Sequence, residues 1–265
     1  MKAFDLHNSI VEDYKSYLQS FTNIKDERIK TEVDKAFREG IFLPEPLIQF
    51  NPSFQQGESI DQLISEGIFH PDLKKIFGTF NLYKHQVEAV KKGVNGDSFV
   101  VTSGTGSGKS LTYLATIFNH ILKSERKKGI KAILVYPMNA LINSQEEEIK
   151  KYEQNYGANF PITYGKYTGQ ESGDKRAELE AKKPDIILTN YMMLELIMTR
   201  NGERWIRESL KDNLKFIVFD ELHTYRGRQG SDVSMLIRRI NQLAKKNLVC
   251  IGTSATMASG GGSQE

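Results

Sequence analysis

Two short stretches of this sequence hold residue types suited to handling phosphate. The first, SGTGSGKS at 103–110, lies between an apolar run, FVVT at 99–102, and a helical pattern that begins at residue 109. Gly104, Gly106 and Gly108 allow a tight backbone turn with no side chains in the way, so successive N–H groups can point at one anion. The helix that follows adds the positive end of its dipole. In this spacing Lys109 supplies a point charge for the β- and γ-phosphates of a nucleoside triphosphate, and the Ser110 hydroxyl is placed to bind Mg²⁺. The expected phosphate-binding residues are Thr105, Gly106, Ser107, Gly108, Lys109 and Ser110. The pattern GxxxxGK[ST] departs at one position, Ser103, where glycine is usual.

The second stretch is Asp220-Glu221-Leu222-His223, directly after the apolar run FIVF. In a parallel sheet the C-terminal ends of the strands open on one edge. Asp220 is therefore expected opposite Ser110, holding Mg²⁺ through water, with Glu221 polarising the attacking water. Phosphoryl transfer is mostly positioning and charge compensation, so two adjacent carboxylates in these roles suffice chemically.

These groups meet only if the intervening chain builds such a sheet. Apolar residues make up 39% and charged residues 26% of the 265, a core-forming balance that excludes disorder, collagen and coiled coil. From residue 82 onward, short β-rich runs alternate with helical stretches. The expected strands are 99–102, 132–137, 161–165, 185–189, 216–220 and 248–252; the expected helices are 109–123, 139–155, 174–182, 190–199 and 231–246. Leu111, Leu114, Ala115 and Phe118 form one apolar stripe, and Val233, Leu236, Ile237 and Ile240 form another. Continuously apolar strands alternating with amphipathic helices predict an α/β fold, a mostly parallel sheet with helices on both faces. Before it, residues 5–38 read as two helices with Gly40 as a C-cap, and Pro44, Pro46 and Pro52 point to an extended connector over 41–57. Short helical patterns follow at 59–66 and 71–77. The expected division is an N-terminal helical extension, 1–57, and a nucleotide-binding domain, 58–265.

Taken together, SGTGSGKS, DELH and the SAT at 254–256 resemble the first RecA-like domain of a superfamily 2 DExH-box (DEAD/DEAH-like) helicase. Further matches follow in family order. NLYKHQ at 81–86 resembles the Q-motif; the resemblance implies that Gln86 reads the adenine edge of ATP and Tyr83 stacks on its ring. YPMNALINSQ at 136–145, YTG at 167–169 and TNYMMLE at 189–195 resemble segments that touch the sugar–phosphate backbone of a bound strand. They imply contacts from Pro137, Asn139, Thr168, Gly169, Thr189 and Asn190. By the same resemblance Ser254 and Thr256 couple hydrolysis to domain motion, with His223 as their neighbour. The run 223–240 is similar to bacterial DExH helicases of DNA repair and phage defence, which implies protein partners of such systems. The resemblance covers about 80–257. A family core has two RecA-like domains, and no second one is expected to fit in the few residues after SAT, so the chain resembles one half of a motor. The expectation is weak ATP–Mg²⁺ binding and slow hydrolysis by the chain alone.

The net charge is +3. Residues 1–80 carry 9 basic and 13 acidic side chains and residues 81–265 carry 27 and 20, so the later part is mildly basic and could sit near phosphates. The expected partner is single-stranded or partly duplex nucleic acid, DNA before RNA. The alternatives are an RNA helicase fragment and a non-catalytic module that binds ATP and nucleic acid. Cys250 is the single cysteine, so no intrachain disulfide can form and a reducing, cytoplasmic setting is expected. No run approaches the length of a membrane span, and the acids of MKAFDLHNSIVEDYK do not suit a signal peptide.

Overall fold

In the computed structural model, residues 3–21, 23–41, 54–104, 106–125, 127–245 and 247–255 are described. Thr105, Thr256, the connector prolines and the terminal SGGGSQE lie outside them. The chain divides into two compact units, Met1–Pro52 and Ser53–Glu265.

The first unit contains two helices, α1 (Ala3–Phe21) and α2 (Glu27–Glu39). Asp26 caps α2, its carboxylate accepting from Arg28 N at 2.9 Å and Ile29 N at 3.3 Å. Gly40 ends the helix in the left-handed conformation, φ +71°.

The second unit opens with a small antiparallel pair, β1 (Gln56–Ser59) against β2 (Asn81–Tyr83), enclosing α3 (Ile60–Ser65) and α4 (Leu73–Phe77) in its connection. This pairing moves the boundary earlier than 57/58, because Gln56 pairs with Tyr83. Helix α5 (Lys84–Asn95) leads into β3 (Phe99–Thr102), then α6 (Lys109–Lys123), β4 (Ala132–Tyr136), α7 (Asn139–Tyr156) and β5 (Tyr164–Lys166). After these come α8 (Gly173–Lys182), β6 (Ile186–Asn190), α9 (Tyr191–Thr199), α10 (Arg204–Asn213), β7 (Phe216–Phe219), α11 (Gly227–Leu243) and β8 (Val249–Ser254). Strands β3 to β8 form one sheet in the order β3-β8-β7-β4-β6-β5, with every pairing parallel.

The alternation along each strand builds two cores. Ala132, Leu134, Ile186, Leu188, Phe216 and Val218 face α3 to α7. Ile133, Val135, Ile187, Ile217 and Phe219 face α9, α10 and α11. Two layers of helix on a parallel sheet remove both faces from water, which is why these strands are apolar throughout. Helix α10 adds to the helices that periodicity predicts; its buried Ile206 and Leu210 are four residues apart among charged neighbours.

At the N-terminal edge of the sheet a buried ion pair ties three strand entries together. Lys131 Nζ lies 2.5 Å from Asp185 Oδ1, with side chains only 8% and 13% exposed. Asp185 Oδ2 accepts from Thr163 N at 2.9 Å and Thr163 Oγ1 at 2.7 Å. Removing one partner strands the other charge. Asp185→Ala should lower unfolding stability by roughly 3–5 kcal/mol, read as a lower urea midpoint at unchanged slope. Combining Lys131→Met with Asp185→Ala should recover much of that loss.

Candidate functional site

The loop after β3 and the acid after β7 are separated by one strand, β8, at the C-terminal edge of the sheet. The parallel order therefore brings Lys109 and Asp220 to one place, close enough for the lysine's charge to act on the carboxyl. The loop turns through Gly106 (φ +77°) and Gly108 (φ +71°) into the first turn of α6. Gly108 is required twice over: its backbone is left-handed, and a Cβ there would collide with Gln86 Nε2. Lys109 Nζ donates to Ser103 O at 2.9 Å and Gly104 O at 3.2 Å, which holds the ammonium over the loop. Ser103 and Ser107 join their hydroxyls at 2.5 Å across it. A Cβ on Gly104 or Gly106 would meet nothing within 4 Å, so the space above the loop is open.

The Gln86 side chain is bonded within the protein. It is 4% exposed; its Nε2 donates to Ser107 O (3.3 Å) and Gly108 O (3.0 Å), and its Oε1 accepts from Tyr83 N (2.8 Å). Its amide nitrogen thus serves the phosphate loop. Tyr83 belongs to an aromatic cluster: Phe54 lies 5.2 Å and His85 5.8 Å from its ring, and Phe54 and His85 are 5.3 Å apart. His85 Nε2 also reaches Ser107 O at 3.2 Å. Phe54 is 38% exposed in that cluster.

Asp220 leaves β7 with its N–H still bonded to Val135 O at 2.9 Å. Its Oδ1 accepts from the Thr253 hydroxyl. The same Thr253 Oγ1 accepts from Glu221 N at 3.2 Å, so one buried hydroxyl orients both acids. Glu221 sits in the left-handed region, φ +52°, unusual for a non-glycine residue. His223 Nδ1 lies 3.1 Å from Glu221 Oε2 and 3.2 Å from Ser254 Oγ. The first approach is not aligned as a hydrogen bond, and Glu221 Oε2 is a buried acceptor without one. Leu222 packs so tightly on β8 that a Cβ at Gly252 would collide with it.

Burial raises the Asp220 pKa above its ordinary value; the Thr253 hydrogen bond opposes this, the charge of Glu221 adds to it, and Lys109 opposes it. The bare carboxylate is under-compensated, and a divalent cation would supply the missing positive charge. Ser110 at the start of α6 and Asp220 would offer a sparse set of oxygen donors. That suits Mg²⁺, which keeps several waters and takes one or two carboxylates plus substrate phosphates. No cluster of three or more His, Cys, Asp or Glu among the described residues makes a rival metal site.

Behind the acids runs a polar chain, buried at Tyr113, Tyr136 and Gln145 and half-buried at Glu148 and Tyr152. Tyr113 OH donates to Gln145 Oε1 at 2.9 Å and lies 3.2 Å from Tyr136 OH. Gln145 Nε2 donates to Glu148 Oε2 at 3.0 Å, and Tyr152 OH to Glu148 Oε1 at 2.9 Å. Burial pushes the Tyr113 phenol far above its ordinary pKa, so it stays a neutral donor.

The residues expected along a strand sit on the same sheet edge. Pro137 follows β4, and Asn139 opens α7, its Oδ1 accepting from Asn190 Nδ2 at 2.9 Å. Asn190 caps α9 through Met193 N at 2.8 Å. Thr168 and Gly169 form a turn after β5, bonded to Glu171. Thr189 is a correction. It is fully buried, and its hydroxyl donates to Tyr167 O at 2.6 Å, so it braces that turn from beneath and presents nothing to a strand. Sequence patterns do not single out Phe54, His85, Tyr113, Gln145 or Thr253. Thr253 has a signal, standing one residue before SAT, and His85 and Gln145 lie within NLYKHQ and YPMNALINSQ; Phe54 and Tyr113 look like ordinary loop and helix residues.

The sheet order, the glycine loop and the paired acids define a RecA-like P-loop nucleotide-binding domain. The DEAD/DEAH box helicase pattern matches residues 83–260, and the chain belongs to that family. It is 34% identical over 204 residues to the ATP-dependent helicase YprA of Bacillus subtilis (strain 168), covering 76% of this chain and 25% of that protein. It is 34% identical over 188 residues to the ATP-dependent helicase MJ1574 of Methanocaldococcus jannaschii, covering 67% of this chain and 26% of that one. Among solved structures it resembles the DUF1998 helicase MrfA bound to DNA and AMPPNP, with TM-score 0.69 and 28% identity over 84% of this chain and 31% of that chain. The chain spans about a quarter to a third of the length of these relatives. None of its described helices is long and apolar enough to cross a membrane.

A carboxyl with a raised folded-state pKa binds its proton more tightly in the native state than in the unfolded one. Native stability is then lost as pH rises from the ordinary carboxylate range through that raised value. Asp220→Asn removes the charge that burial penalises. Thermal unfolding should therefore give a higher Tm for the variant than for the parent at pH 7, with the gap closing as pH falls into the ordinary carboxylate range.

Proposed function

We propose that this chain is the ATP-binding half of a DNA helicase motor, which binds Mg-ATP at Lys109, Ser110 and Asp220 and hydrolyses it to drive movement along single-stranded or partly duplex DNA. The observation that carries this reading is the convergence of Lys109, Asp220 and Glu221 at one sheet edge, with Pro137, Asn139, Thr168, Gly169 and Asn190 at strand ends, turns and helix starts of the same edge. Lys109 and the N–H groups of the glycine loop bind the phosphate tail. Phe54, Tyr83 and His85 offer aromatic faces for the base. Glu221, with a buried oxygen lacking a donor, takes the proton of the attacking water. Ser110 and Asp220 would hold a magnesium ion, which would supply positive charge against the phosphates. The likeness to helicases named as ATP-dependent, and to one solved with DNA and AMPPNP, supports the ATP and DNA assignments.

A second RecA-like domain completes the motor in this reading and brings the arginine that compensates transition-state charge. Such arginines contribute about 10³–10⁵ in rate in related enzymes, so the chain alone turns over slowly. A repair or defence system in the cytoplasm is the proposed setting, and its proteins are the proposed partners.

Lys109→Ala should abolish binding of a fluorescent ATP analogue, and unchanged affinity would end the phosphate-loop assignment. Glu221→Gln should keep that affinity while lowering turnover roughly 10²–10⁴-fold in an ATPase assay with single-stranded DNA present. Phe54→Ala should weaken ATP binding by about 1–3 kcal/mol, the size of a base–aromatic stack. It should leave tripolyphosphate binding unaltered, which separates base stacking from damage to the loop.

A further inference from the structure

The turn at Thr168–Gly169 is already occupied by an anion, and that anion is part of the chain. Glu171 Oε2 accepts from Thr168 N at 2.7 Å and from Gly169 N at 3.0 Å; its Oε1 accepts from Thr168 Oγ1 at 2.8 Å. Two successive backbone N–H groups and a hydroxyl thus converge on one carboxylate, the donor set that would grip a phosphate oxygen. Gly169 has φ +89°, which lets its N–H turn to the same side as that of Thr168. The turn is braced from below: Tyr167 N bonds Leu188 O at 2.8 Å, and Thr189 Oγ1 bonds Tyr167 O at 2.6 Å. Above, Gly169 is exposed and Glu171 is half-buried. The cradle is rigid on the protein side and open on the solvent side, with its donors spent on a side chain two and three residues away.

We propose that Glu171 is a built-in stand-in for a strand phosphate. A phosphodiester of the bound nucleic acid and the Glu171 carboxylate compete for the Thr168 and Gly169 donors. Engagement at this point is then an exchange of one anion for another, with Glu171 swinging out to solvent. This rests on the reading above that the turn faces the strand. Two effects hold affinity down. The donors are already satisfied, so the phosphate gains only the difference between two charge-assisted contacts. The displaced carboxylate also remains close enough to repel the phosphate that replaced it. Release of the strand is correspondingly eased, because Glu171 returns to donors that would otherwise be left bare.

The test is single-stranded DNA binding by fluorescence anisotropy with the full 265-residue chain. Glu171→Gln keeps the shape and removes the charge; Glu171→Ala removes both. Each should tighten binding by about fivefold or more, with affinity for an ATP analogue unchanged. Asp174→Asn removes a neighbouring charge that none of these donors hold and should give a smaller gain. Adding Thr168→Val to Glu171→Gln should take much of the gain away. Equal or weaker binding by both Glu171 variants overturns the exchange, because a carboxylate that merely shapes the turn gives that result. Asn139→Ala separates the two readings. If it weakens binding while the Glu171 variants do not tighten it, the exchange alone fails; if it too leaves binding unchanged, the strand-path reading fails.

Discussion

A carboxylate largely withdrawn from water at the end of a strand needs compensating charge, and the arrangement around Asp220 is organised by that need. Burial and the neighbouring Glu221 both favour its protonated form; the Thr253 hydroxyl and the Lys109 ammonium oppose them without offsetting them. An under-compensated acid destabilises the fold slightly and becomes a strong ligand for a cation. The parallel order of the sheet makes the arrangement possible. With β8 between β3 and β7, a single side chain at the end of β8 can reach the acid, and the lysine after β3 comes within its field.

That position also makes β8 a shared support. Thr253 stands beside Val101 in the register with β3, and Ser254 stands beside Thr102. Ser254 O accepts from Ser103 N at 3.3 Å, so the strand end touches the phosphate loop. Its hydroxyl lies 3.2 Å from His223, which in turn faces Glu221. The loop, both acids and the histidine all lean on two consecutive residues of one strand. A displacement of that strand end alters all of them together. From Tyr113, a hydrogen-bonded chain through Gln145 and Glu148 to Tyr152 extends the buried polar system into α7, the helix that Asn139 opens.

The parts of this arrangement readable in the sequence are those fixed by backbone requirements. A glycine loop leading to lysine, an acid pair after four apolar residues and the alternation of runs carry their own geometry, and the six strands of the main sheet fall close to where the apolar runs predict them. What is not readable depends on contacts made after folding. Strand β5 starts at Tyr164 and not at Pro161, because Thr163 is diverted to Asp185. The pair of β1 and β2 is built from QGES and NLY, too short and polar to show a period. Helix α11 begins at Gly227, through a GRQG stretch that reads as a loop. In the site, motif position gives Gln86 and Thr189 outward roles, yet both turn inward because a buried amide or hydroxyl must find partners. Thr168 and Gly169 read as free donors because nothing in YTG reveals that a glutamate two places on folds back over them.

Several groups at the candidate sites share one condition: each is already bonded within the protein. Lys109 rests on Ser103 and Gly104 carbonyls, Gln86 on Ser107 and Gly108 carbonyls, and the Thr168 and Gly169 amides on Glu171. A donor left unsatisfied away from water costs about 1–3 kcal/mol, so a preformed site with all of these bare would weigh on stability. Internal partners remove that cost and lower the gain on binding by a similar amount. The net affinity for each ligand is then modest, and it depends on several exchanges occurring together and not on any one contact. In the motor proposed above, which would bind and release nucleotide and strand in turn, that balance would be more useful than tightness. A site built of bare donors would hold its first ligand too well to complete the cycle. A glutamate over the Thr168–Gly169 turn and a lysine parked on carbonyls are two forms of the same physical solution.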